Sequence, residues 1–118
     1  MPTNQELGAY GEQLAAQFLE DLGFEIVDRN YRCKFGEIDI VARDDDTVVI
    51  VEVKTRSNVV FGLPAESVTN RKVQTLRRLA AHWMSEAKLP INSVRIDVIS
   101  VVMSSDGEAD IERIVGIA

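Results

Sequence analysis

The sequence contains very few residues of two chemically important kinds. Its 118 residues include one cysteine, Cys33, and one histidine, His82. A disulfide framework within the chain is therefore excluded, and a zinc site built from cysteine and histidine cannot form within one chain. Histidine-based acid–base catalysis would have to use His82 alone. A single cysteine is typical of a protein from the reducing cytoplasm, which is the location we expect.

Long apolar segments are also absent from the sequence. No run approaches the roughly 20 apolar residues that a membrane helix needs, and the polar start Met1-Pro2-Thr3-Asn4 is unlike a signal peptide. We therefore expect no association with a membrane. The length and the hydrophobic fraction of 46% predict a single globular domain spanning residues 1–118, with a core that needs no disulfide.

Positive charge is scarce overall but is concentrated in one part of the chain. The net charge of −6 and the pI near 4.7 argue against a protein that coats nucleic acid non-specifically. Acidic residues accumulate at 44–46 and 106–112, whereas basic residues cluster in the middle of the sequence. This distribution is compatible with a basic face on an acidic protein. Its members are Lys54, Arg56, Arg71, Lys72, Arg77 and Arg78.

Helix one is predicted from a capping box that Thr3 forms with Glu6, and Gly23 marks its end. Gly8 and Gly11 each cost a helix about 1 kcal/mol relative to alanine, so we expect another part of the chain to approach them closely. Glu12 flanks the apolar stripe of this helix. That stripe consists of Leu7, Leu14, Ala15, Phe18 and Leu22.

Helix two is predicted from Thr69 or Asn70 to Ala87. Its apolar stripe is more typical of a core than of a cofactor site, and its charged residues would by default form a solvated surface. The stripe consists of Val73, Leu76, Ala80, Trp83, Met84 and Ala87, whereas Arg71, Arg78 and His82 fall on the opposite face and Lys72 flanks the stripe.

The remaining periodic segments predict five strands. The strands are Phe24–Asp28, Gly36–Arg43, Thr47–Lys54, Val94–Met103 and Ile111–Ile117. The basic stretch Arg29–Lys34 follows the first strand, and the loop Ser57–Val68 is long enough to suggest a functional role. The resulting order is α-β-β-β-α-β-β. It predicts an α/β fold in which helices flank a central mixed sheet, with strands one to three antiparallel and strand four parallel to strand three.

Strand three has an unusual distribution of charge. Val48–Val51 is an unbroken β-branched run, which is typical of a strand that is buried on both faces. Because side chains alternate along a strand, Glu52 and Lys54 continue the same face as Val48 and Ile50. Charges at the end of a buried strand are costly unless they are paired, bound to metal or used chemically.

A hairpin would bring a second carboxylate to the same place. Asp44-Asp45-Asp46 is a turn former, and a two- or four-residue loop pairs Asp39 directly with Glu52. Opposed carboxylates repel each other, and a divalent cation such as Mg²⁺ or Mn²⁺ would remove this repulsion. A three-residue loop would shift the register by one and remove the pairing unless a bulge restored it. The alternative is a solvated strand end with an ordinary Glu52–Lys54 ion pair.

The pattern of these charges resembles the PD-(D/E)xK nuclease superfamily. The likeness within it is to archaeal Holliday junction resolvases and Mrr-type endonucleases, and more closely to the YraN-like family of small bacterial proteins. The proline that names the superfamily is Ile38 here, as in the Gly-Glu-Ile-Asp pattern of the closer family. The matching strings are Gly11-Glu12, Arg29-Asn30-Tyr31-Arg32, Gly36-Glu37-Ile38-Asp39, Val51-Glu52-Val53-Lys54-Thr55-Arg56 and Phe61-Gly62-Leu63-Pro64.

The resemblance implies a restriction-endonuclease-like fold and a role for each matching residue. Asp39 and Glu52, with the backbone carbonyl of Val53, would hold Mg²⁺ or Mn²⁺. Lys54 would orient or deprotonate the attacking water and neutralise phosphate charge. Glu12 would complete the metal shell or a second site. Glu37 would support Lys54 or the metal. No organic cofactor is expected, and metal binding should be weak without nucleic acid.

Three functions are compatible with the sequence. The first is a metal-dependent endonuclease acting on DNA, including branched or recombination intermediates. The second is a non-catalytic module that binds nucleic acid or a repair partner, and the third is a structural protein whose ion pairs mimic the motif. Resolvases of similar fold are symmetric dimers, so a homodimer is expected by analogy. The predicted nucleic-acid contacts are Arg56, Arg71, Lys72 and Arg78, although Lys72 could instead cover the core of its own helix.

Overall fold

The elements follow the predicted order in the computed structural model, which describes residues 3–57, 68–88 and 93–117. The helices are α1 (Asn4–Asp21) and α2 (Asn70–Glu86), and the strands are β1 (Glu25–Cys33), β2 (Gly36–Asp44), β3 (Thr47–Ser57), β4 (Ser93–Met103) and β5 (Ala109–Ile114). The predicted α/β class and the α-β-β-β-α-β-β order are therefore confirmed.

The five strands form one mixed sheet in the order β1-β2-β3-β4-β5. Neighbouring strands are antiparallel except β3 and β4, which are parallel and pair along their whole length from Thr47↔Ser93 to Ser57↔Met103. Helix α2 lies between these two strands in sequence, as a parallel connection requires. The predicted meander and crossover are both confirmed.

The two helices begin where their capping residues predict. Thr3 accepts a hydrogen bond from the Glu6 backbone N–H, and the Glu6 side chain bonds back to the Thr3 N–H, which completes the capping box. Thr69 caps α2 in the same way through the backbone N–H of Lys72. These local hydrogen bonds set both helix starts without any contribution from the rest of the fold.

Three strands differ from the prediction by more than one residue. The third strand was expected to end at Lys54, but β3 continues to Ser57 and pairs with β4 over its whole length. The last strand starts and ends earlier than the expected Ile111–Ile117, since β5 pairs with β4 from Ala109 to Ile114.

The first strand was expected to end at Asp28, but β1 continues to Cys33 and takes in most of the basic stretch Arg29–Lys34. Pairing with β2 holds these residues in the sheet. Arg29, Asn30 and Arg32 stay exposed on this edge strand, whereas Tyr31 and Cys33 are half-buried against the α2-side core.

Each face of the sheet is covered by one helix. The core on one side joins α1 to Ile40, Ala42, Val49 and Val51, and the core on the other side joins α2 to Ile38, Val41, Val48 and Ile50. Leu22 was expected in the stripe of α1 but is 49% exposed, because it caps the helix beyond its last packed turn. Leu19 and Leu79, which the predicted stripes omitted, are fully buried.

Helix α1 touches β3 at a glycine. A side chain at Gly11 would overlap the Thr55 hydroxyl and would lie only 2.7 Å from Thr55 Cγ2. The expectation of a close approach is confirmed for Gly11 and is wrong for Gly8, which has open space around it. Because Glu12 follows Gly11, this contact places Glu12 beside the charged end of β3.

Among the described residues, no helix combines the length and the apolar character that crossing a membrane would require.

The predicted functional loop Ser57–Val68, with its Phe61-Gly62-Leu63-Pro64 string, lies almost entirely outside the described residues.

Candidate functional site

The β2–β3 hairpin has the register that the sequence predicted. Its pairs run from Asp44↔Thr47 to Ile40↔Val51, so the loop has two residues and paired numbers add up to 91. Asp45, the first loop residue, has a φ of 55°, the left-handed conformation found at this position in the tight turns of β-hairpins. Continuing this register by one step brings Asp39 level with Glu52.

Regular pairing stops just before those two carboxylates meet. Ile38 packs on the α2 side whereas Ile40 packs on the α1 side, although strict alternation would place them on the same face. On β1, Asn30 falls between the pairs Arg29↔Ile40 and Tyr31↔Ile38 and has a φ of 53°. Asn30 and Asp39 therefore occupy one local irregularity, and β2 turns away from β3 beyond Ile40.

The Asp39 side chain fills the space that this irregularity creates. Its Oδ2 accepts a 2.8 Å hydrogen bond from the Val53 backbone N–H, so the side chain bonds to β3 where the backbone ladder has ended. The expected direct Asp39–Glu52 backbone pair is replaced by this bond. The two carboxylates still lie on adjacent antiparallel strands and interact electrostatically.

The surroundings of Asp39 oppose its ionisation. Burial is the main cause that raises the pKa of this carboxyl to about 7; the charges of Glu52, Glu12 and Glu37 contribute to the rise, and the hydrogen bond from the Val53 N–H opposes it. A carboxylate with this environment is destabilised unless positive charge is brought to it. The arrangement is therefore suited to a cation.

Glu52 lies on the α2 side of the sheet, where it continues the face of Val48 and Ile50. Only 7% of the residue is exposed, and its Oε2 lies 3.4 Å from Lys72 Nζ on α2. Lys72 was predicted to contact nucleic acid, and its potential to cover its own helix core was the alternative. The structure shows a third arrangement, because the ammonium group is directed into the acidic site.

Lys54 and Val53 occupy the positions that strand alternation predicts for them. Lys54 is half-buried, lies two residues beyond Glu52 on the same strand, and pairs with the buried Ser100 of β4. Val53 packs against the α1 core and gives its backbone N–H to Asp39. The motif therefore places two carboxylates and one amine at the same end of β3.

Glu12 approaches the site from α1. It is half-buried, and burial raises the pKa of its carboxyl, with smaller raising effects from Glu37 and Glu52. Arg29 and a hydrogen bond with Asn30 act in the opposite direction. Asn30 was named in the sequence only as part of a matching string. The signal that identifies it is the preference of asparagine for the left-handed conformation, which Asn30 adopts with a φ of 53°.

Glu37 belongs to the edge of the site. Its carboxylate accepts a 2.9 Å hydrogen bond from Arg32 Nε on β1, and both side chains are largely exposed. It was predicted to support Lys54 or the metal. Its direct partner is Arg32 instead, because the β1–β2 register pairs these two residues. Glu37 affects the site through its charge, which raises the pKa of both Asp39 and Glu12.

The other predicted nucleic-acid contacts are spread over the surface. Arg71 is exposed in the first turn of α2, next to Lys72, and Arg56 is half-buried two positions beyond Lys54. Arg78 lies farther along α2 with its guanidinium 5.5 Å from the centre of the Phe35 ring. The basic residues near the site are therefore Arg56 and Arg71, whereas Arg78 belongs to a separate aromatic contact.

The donor set suits a hard cation that keeps part of its water shell. Within residues 3–57, 68–88 and 93–117, no three acidic, histidine or cysteine side chains are arranged to hold a metal ion. The site offers Asp39, Glu52 and the backbone carbonyl of Val53, while Glu12 adds charge without completing a set of three carboxylates. Mg²⁺ commonly binds through one or two carboxylates together with waters and substrate phosphates.

Two other groups of charged residues lie away from this site. His82 was predicted to face outward, but it contacts Tyr31 Oη at 2.6 Å, lies beside the Phe35 ring and is 3.5 Å from Glu86.

Asp97 is fully buried in β4 and is paired with Arg95 and Arg113. Asp97 accepts three hydrogen bonds within the protein and lies between two arginines, so we regard it as structural.

Comparison with known proteins identifies related sequences over almost the whole chain. The model of the family described as "Uncharacterised protein family UPF0102" matches residues 11–101. The UPF0102 protein of Beutenbergia cavernae is 49% identical over 117 residues, which cover 99% of both chains. The UPF0102 protein of Nocardia farcinica is 55% identical over 100 residues, covering 85% of this chain and 79% of the relative. The matched range contains Glu12, Asp39, Glu52 and Lys54.

Proposed function

The chain belongs to the UPF0102 family, a YraN-like family, and we propose that it is a divalent-metal-dependent endonuclease acting on DNA. The nuclease superfamily resembled by the sequence supplies the reaction class, which is phosphodiester hydrolysis. One observation carries the proposal: the β2–β3 hairpin brings the half-buried Asp39 and the buried Glu52 together, with Lys54 beside them on β3. Two repelling carboxylates at a strand end are more readily explained by a cation site than by stability.

Asp39 and Glu52 would hold Mg²⁺ or Mn²⁺, with the Val53 carbonyl as a further oxygen donor. When bound, the ion lowers the pKa of a coordinated water and stabilises negative charge on the phosphoryl oxygens. The Val53 N–H fixes the orientation of Asp39, so this carboxylate needs little reorganisation on binding. Binding would be weak without nucleic acid, because substrate phosphate supplies part of the coordination shell.

Lys54 and Glu12 would assist from opposite sides of the metal-binding pair. The Lys54 ammonium, a compact charge on a flexible stem, suits both phosphate neutralisation and orientation of the attacking water. Glu12, whose pKa is raised by burial, could hold or accept a proton close to the reacting water. We propose this role for Glu12 in place of a third metal ligand.

DNA contacts, oligomeric state and cellular location follow from the same proposal. Arg56, Arg71 and, at greater distance, Arg78 would contact the phosphate backbone, and the acidic net charge would restrict binding to this limited surface. A homodimer is proposed by analogy with resolvases, which cut two strands. A cytoplasmic location is proposed because the sequence contains a single cysteine.

A cleavage assay tests the proposed reaction. The purified protein is incubated with linear, nicked, flapped and four-way DNA and with matched RNA, in Mg²⁺ and in Mn²⁺. We expect metal-dependent cleavage that falls at least about 100-fold in Glu52→Gln and in Lys54→Met. Lys88→Met removes an exposed lysine after α2 and is the matched control. Equal cleavage by all four proteins would reveal a contaminating nuclease and contradict the proposal.

The second candidate is a module that binds nucleic acid without cutting it. The observation that favours it is the contact between Lys72 and Glu52, which places a protein cation next to one of the proposed metal ligands. Binding of the same DNA substrates without cleavage in either metal would support this candidate. Cleavage that requires Glu52 would exclude it.

A further inference from the structure

Lys72 occupies a position that its own helix disfavours. It lies in the first turn of α2, where its backbone N–H bonds to Thr69 Oγ1 at 3.1 Å. The positive end of the helix dipole disfavours a cation there, and the first turn of α2 contains no acidic residue to compensate. Its compensating partner is Glu52, on a different element and 20 positions earlier in the sequence.

The contact between Lys72 and Glu52 differs from an ordinary surface ion pair. The Glu52 side chain is 10% exposed and the Lys72 side chain is 37% exposed, so the ammonium reaches from the surface toward a buried carboxylate. Glu52 in turn interacts with Asp39 and Glu12, which also lie near this charge. Lys72 therefore places a positive charge beside the most buried of these three carboxylates and offsets part of their mutual repulsion.

We propose that Lys72 is an internal counter-ion of the metal site. Its ammonium neutralises Glu52 in the metal-free protein, and a divalent cation must displace it to reach both carboxylates. The displaced ammonium then contacts a phosphate of the bound nucleic acid. This inference rests on the proposed function, and it assigns Lys72 a positioning role that links metal binding to substrate binding.

The chemistry of lysine suits such an exchange. Its charge is a point on a four-carbon stem with several rotatable bonds, so the ammonium can move by a few ångströms without disturbing α2. The partly exposed side chain has a route to solvent. Phosphate binds lysine without strict geometry, so the same group can pair first with a carboxylate and then with the nucleic-acid backbone.

Titration calorimetry with Mn²⁺ alone tests the displacement. Removing the competing charge in Lys72→Met should tighten Mn²⁺ binding about two- to fivefold, the range expected for losing one partly exposed ion pair. Lys72→Arg keeps the charge and should bind Mn²⁺ like the parent. The matched control is Lys88→Met, which removes an exposed lysine beyond the other end of α2 and should change the affinity less than twofold.

A second measurement separates this role from a structural one. In a Lys54→Met background that suppresses cleavage, Lys72→Met should weaken binding of a four-way DNA in Mn²⁺. It should also reduce the slope of log affinity against log salt by about 0.9. A variant that merely disturbed the site would weaken both metal and DNA binding, whereas displacement predicts changes in opposite directions.

The outcomes distinguish this inference from the proposed function. Unchanged or weaker Mn²⁺ binding in Lys72→Met, with Glu52→Gln weakening it, overturns the displacement and leaves the metal site in place. An unchanged DNA affinity and salt slope overturn the phosphate contact. No Mn²⁺ binding in any variant, or equal binding in the parent and Glu52→Gln, overturns both the inference and the proposed function.

Discussion

At the scale of single residues, the most informative group is the Asp39 carboxyl. Burial and three nearby acidic side chains raise its pKa to about 7, against an ordinary value of 3.8. The groups that face it are Glu12 from α1, Glu37 from its own strand and Glu52 from β3. One backbone hydrogen bond keeps this carboxyl in place, and within the part of the chain that the structure describes no basic side chain forms an ion pair with it. Such an environment lowers the stability of the metal-free fold at neutral pH, and a bound cation would remove this cost by neutralising the carboxylate.

The first prediction concerns the pH dependence of stability in the metal-free protein. Between pH 4 and pH 7, folded Asp39 keeps its proton whereas unfolded Asp39 loses it. The contribution of Asp39 is therefore fully present below pH 4 and is lost as the pH rises through 7. Chemical denaturation in a chelating buffer should show this decline, and Asp39→Asn should flatten it. Asp110→Asn, at an exposed position of β5, is the control, and an equally flat profile there would contradict the assignment.

The second prediction concerns the two proposed metal ligands. Asp39→Asn and Glu52→Gln should each lower Mn²⁺ affinity about tenfold or more, measured by calorimetry, because each removes a negatively charged oxygen donor. Asn keeps an oxygen that can accept the Val53 N–H, so Asp39→Asn should slightly stabilise the metal-free fold. Unchanged affinity in both variants would rule out this metal site, and Asp110→Asn again provides the matched control.

At the scale of elements, the site depends on how closely α1 approaches β3. The contact at Gly11 and Thr55 leaves no room for a side chain, and it determines the distance from Glu12 to the carboxylates. Glycine normally weakens a helix interior, so its presence here reflects packing between elements. The two glycines of α1 provide a comparison, because Gly8 has open space where Gly11 has none.

The third prediction follows from this comparison. Gly11→Ala should lower the free energy of unfolding by about 1–3 kcal/mol through overpacking. Gly8→Ala should raise it by up to about 1 kcal/mol through helix propensity. Thermal or chemical denaturation measures both changes. Thr55→Ala should restore part of the loss in a Gly11→Ala background, because it removes two of the three nearest atoms and leaves Cβ at 2.8 Å. A stabilising Gly11→Ala would contradict the packing argument.

The fourth prediction concerns the structural acid of β4. Asp97 accepts two hydrogen bonds from Arg95, at 2.9 Å and 3.0 Å, and one from the Gly116 N–H at 2.8 Å. Arg113 of β5 lies 3.6 Å away. Asp97→Ala should therefore cost about 3–5 kcal/mol of stability, because it breaks a buried charged group of contacts.

Two further measurements separate this structural role from a role in the site. Asp97→Asn should cost less stability than Asp97→Ala, since the amide oxygen can still accept the Gly116 N–H. Both variants should retain Mn²⁺ affinity when they are assayed below their melting temperatures. A loss of Mn²⁺ binding in the folded Asp97→Asn protein would show that Asp97 belongs to the site.

At the scale of the whole molecule, the position of the positive charge matters more than its amount. The net charge of −6 repels nucleic acid at long range, so a binding surface must be local and sensitive to salt. Helix α2 carries Arg71 in its first turn, near Glu52, and Lys88 follows its other end, roughly 25 Å away. Both side chains are exposed and each contributes one positive charge.

The fifth prediction uses this pair of residues. Arg71→Ala should weaken binding of DNA of any sequence and reduce the salt slope by about 0.9, because one phosphate contact is lost. Lys88→Ala removes the same charge from the distant end and should leave the slope unchanged. Fluorescence anisotropy over a range of salt concentrations measures both. Equal effects of the two variants would show that only net charge matters, and no effect of either would move the binding surface to Arg29, Arg32 and Lys34.

The sequence by itself determined the features that depend on neighbouring residues. Thr3 and Thr69 start the helices through bonds within one turn, and the two-residue loop at Asp45 fixes the β2–β3 register. The β-branched run of β3 and the helix that follows it are sufficient to predict a parallel crossover. The element order, the mixed sheet and the proximity of Asp39 to Glu52 could therefore be predicted.

Tertiary structure alone decided the features that join distant residues. Asn30 has a left-handed backbone conformation on β1, the Asp39 side chain accepts the Val53 N–H, and α2 directs Lys72 to Glu52. The extension of β1 to Cys33 depends on pairing with β2, which supplies hydrogen bonds that a polar segment lacks on its own. These outcomes depend on which surfaces pack together. The free energy of such contacts comes from residues far apart in the chain, so no local pattern specifies them.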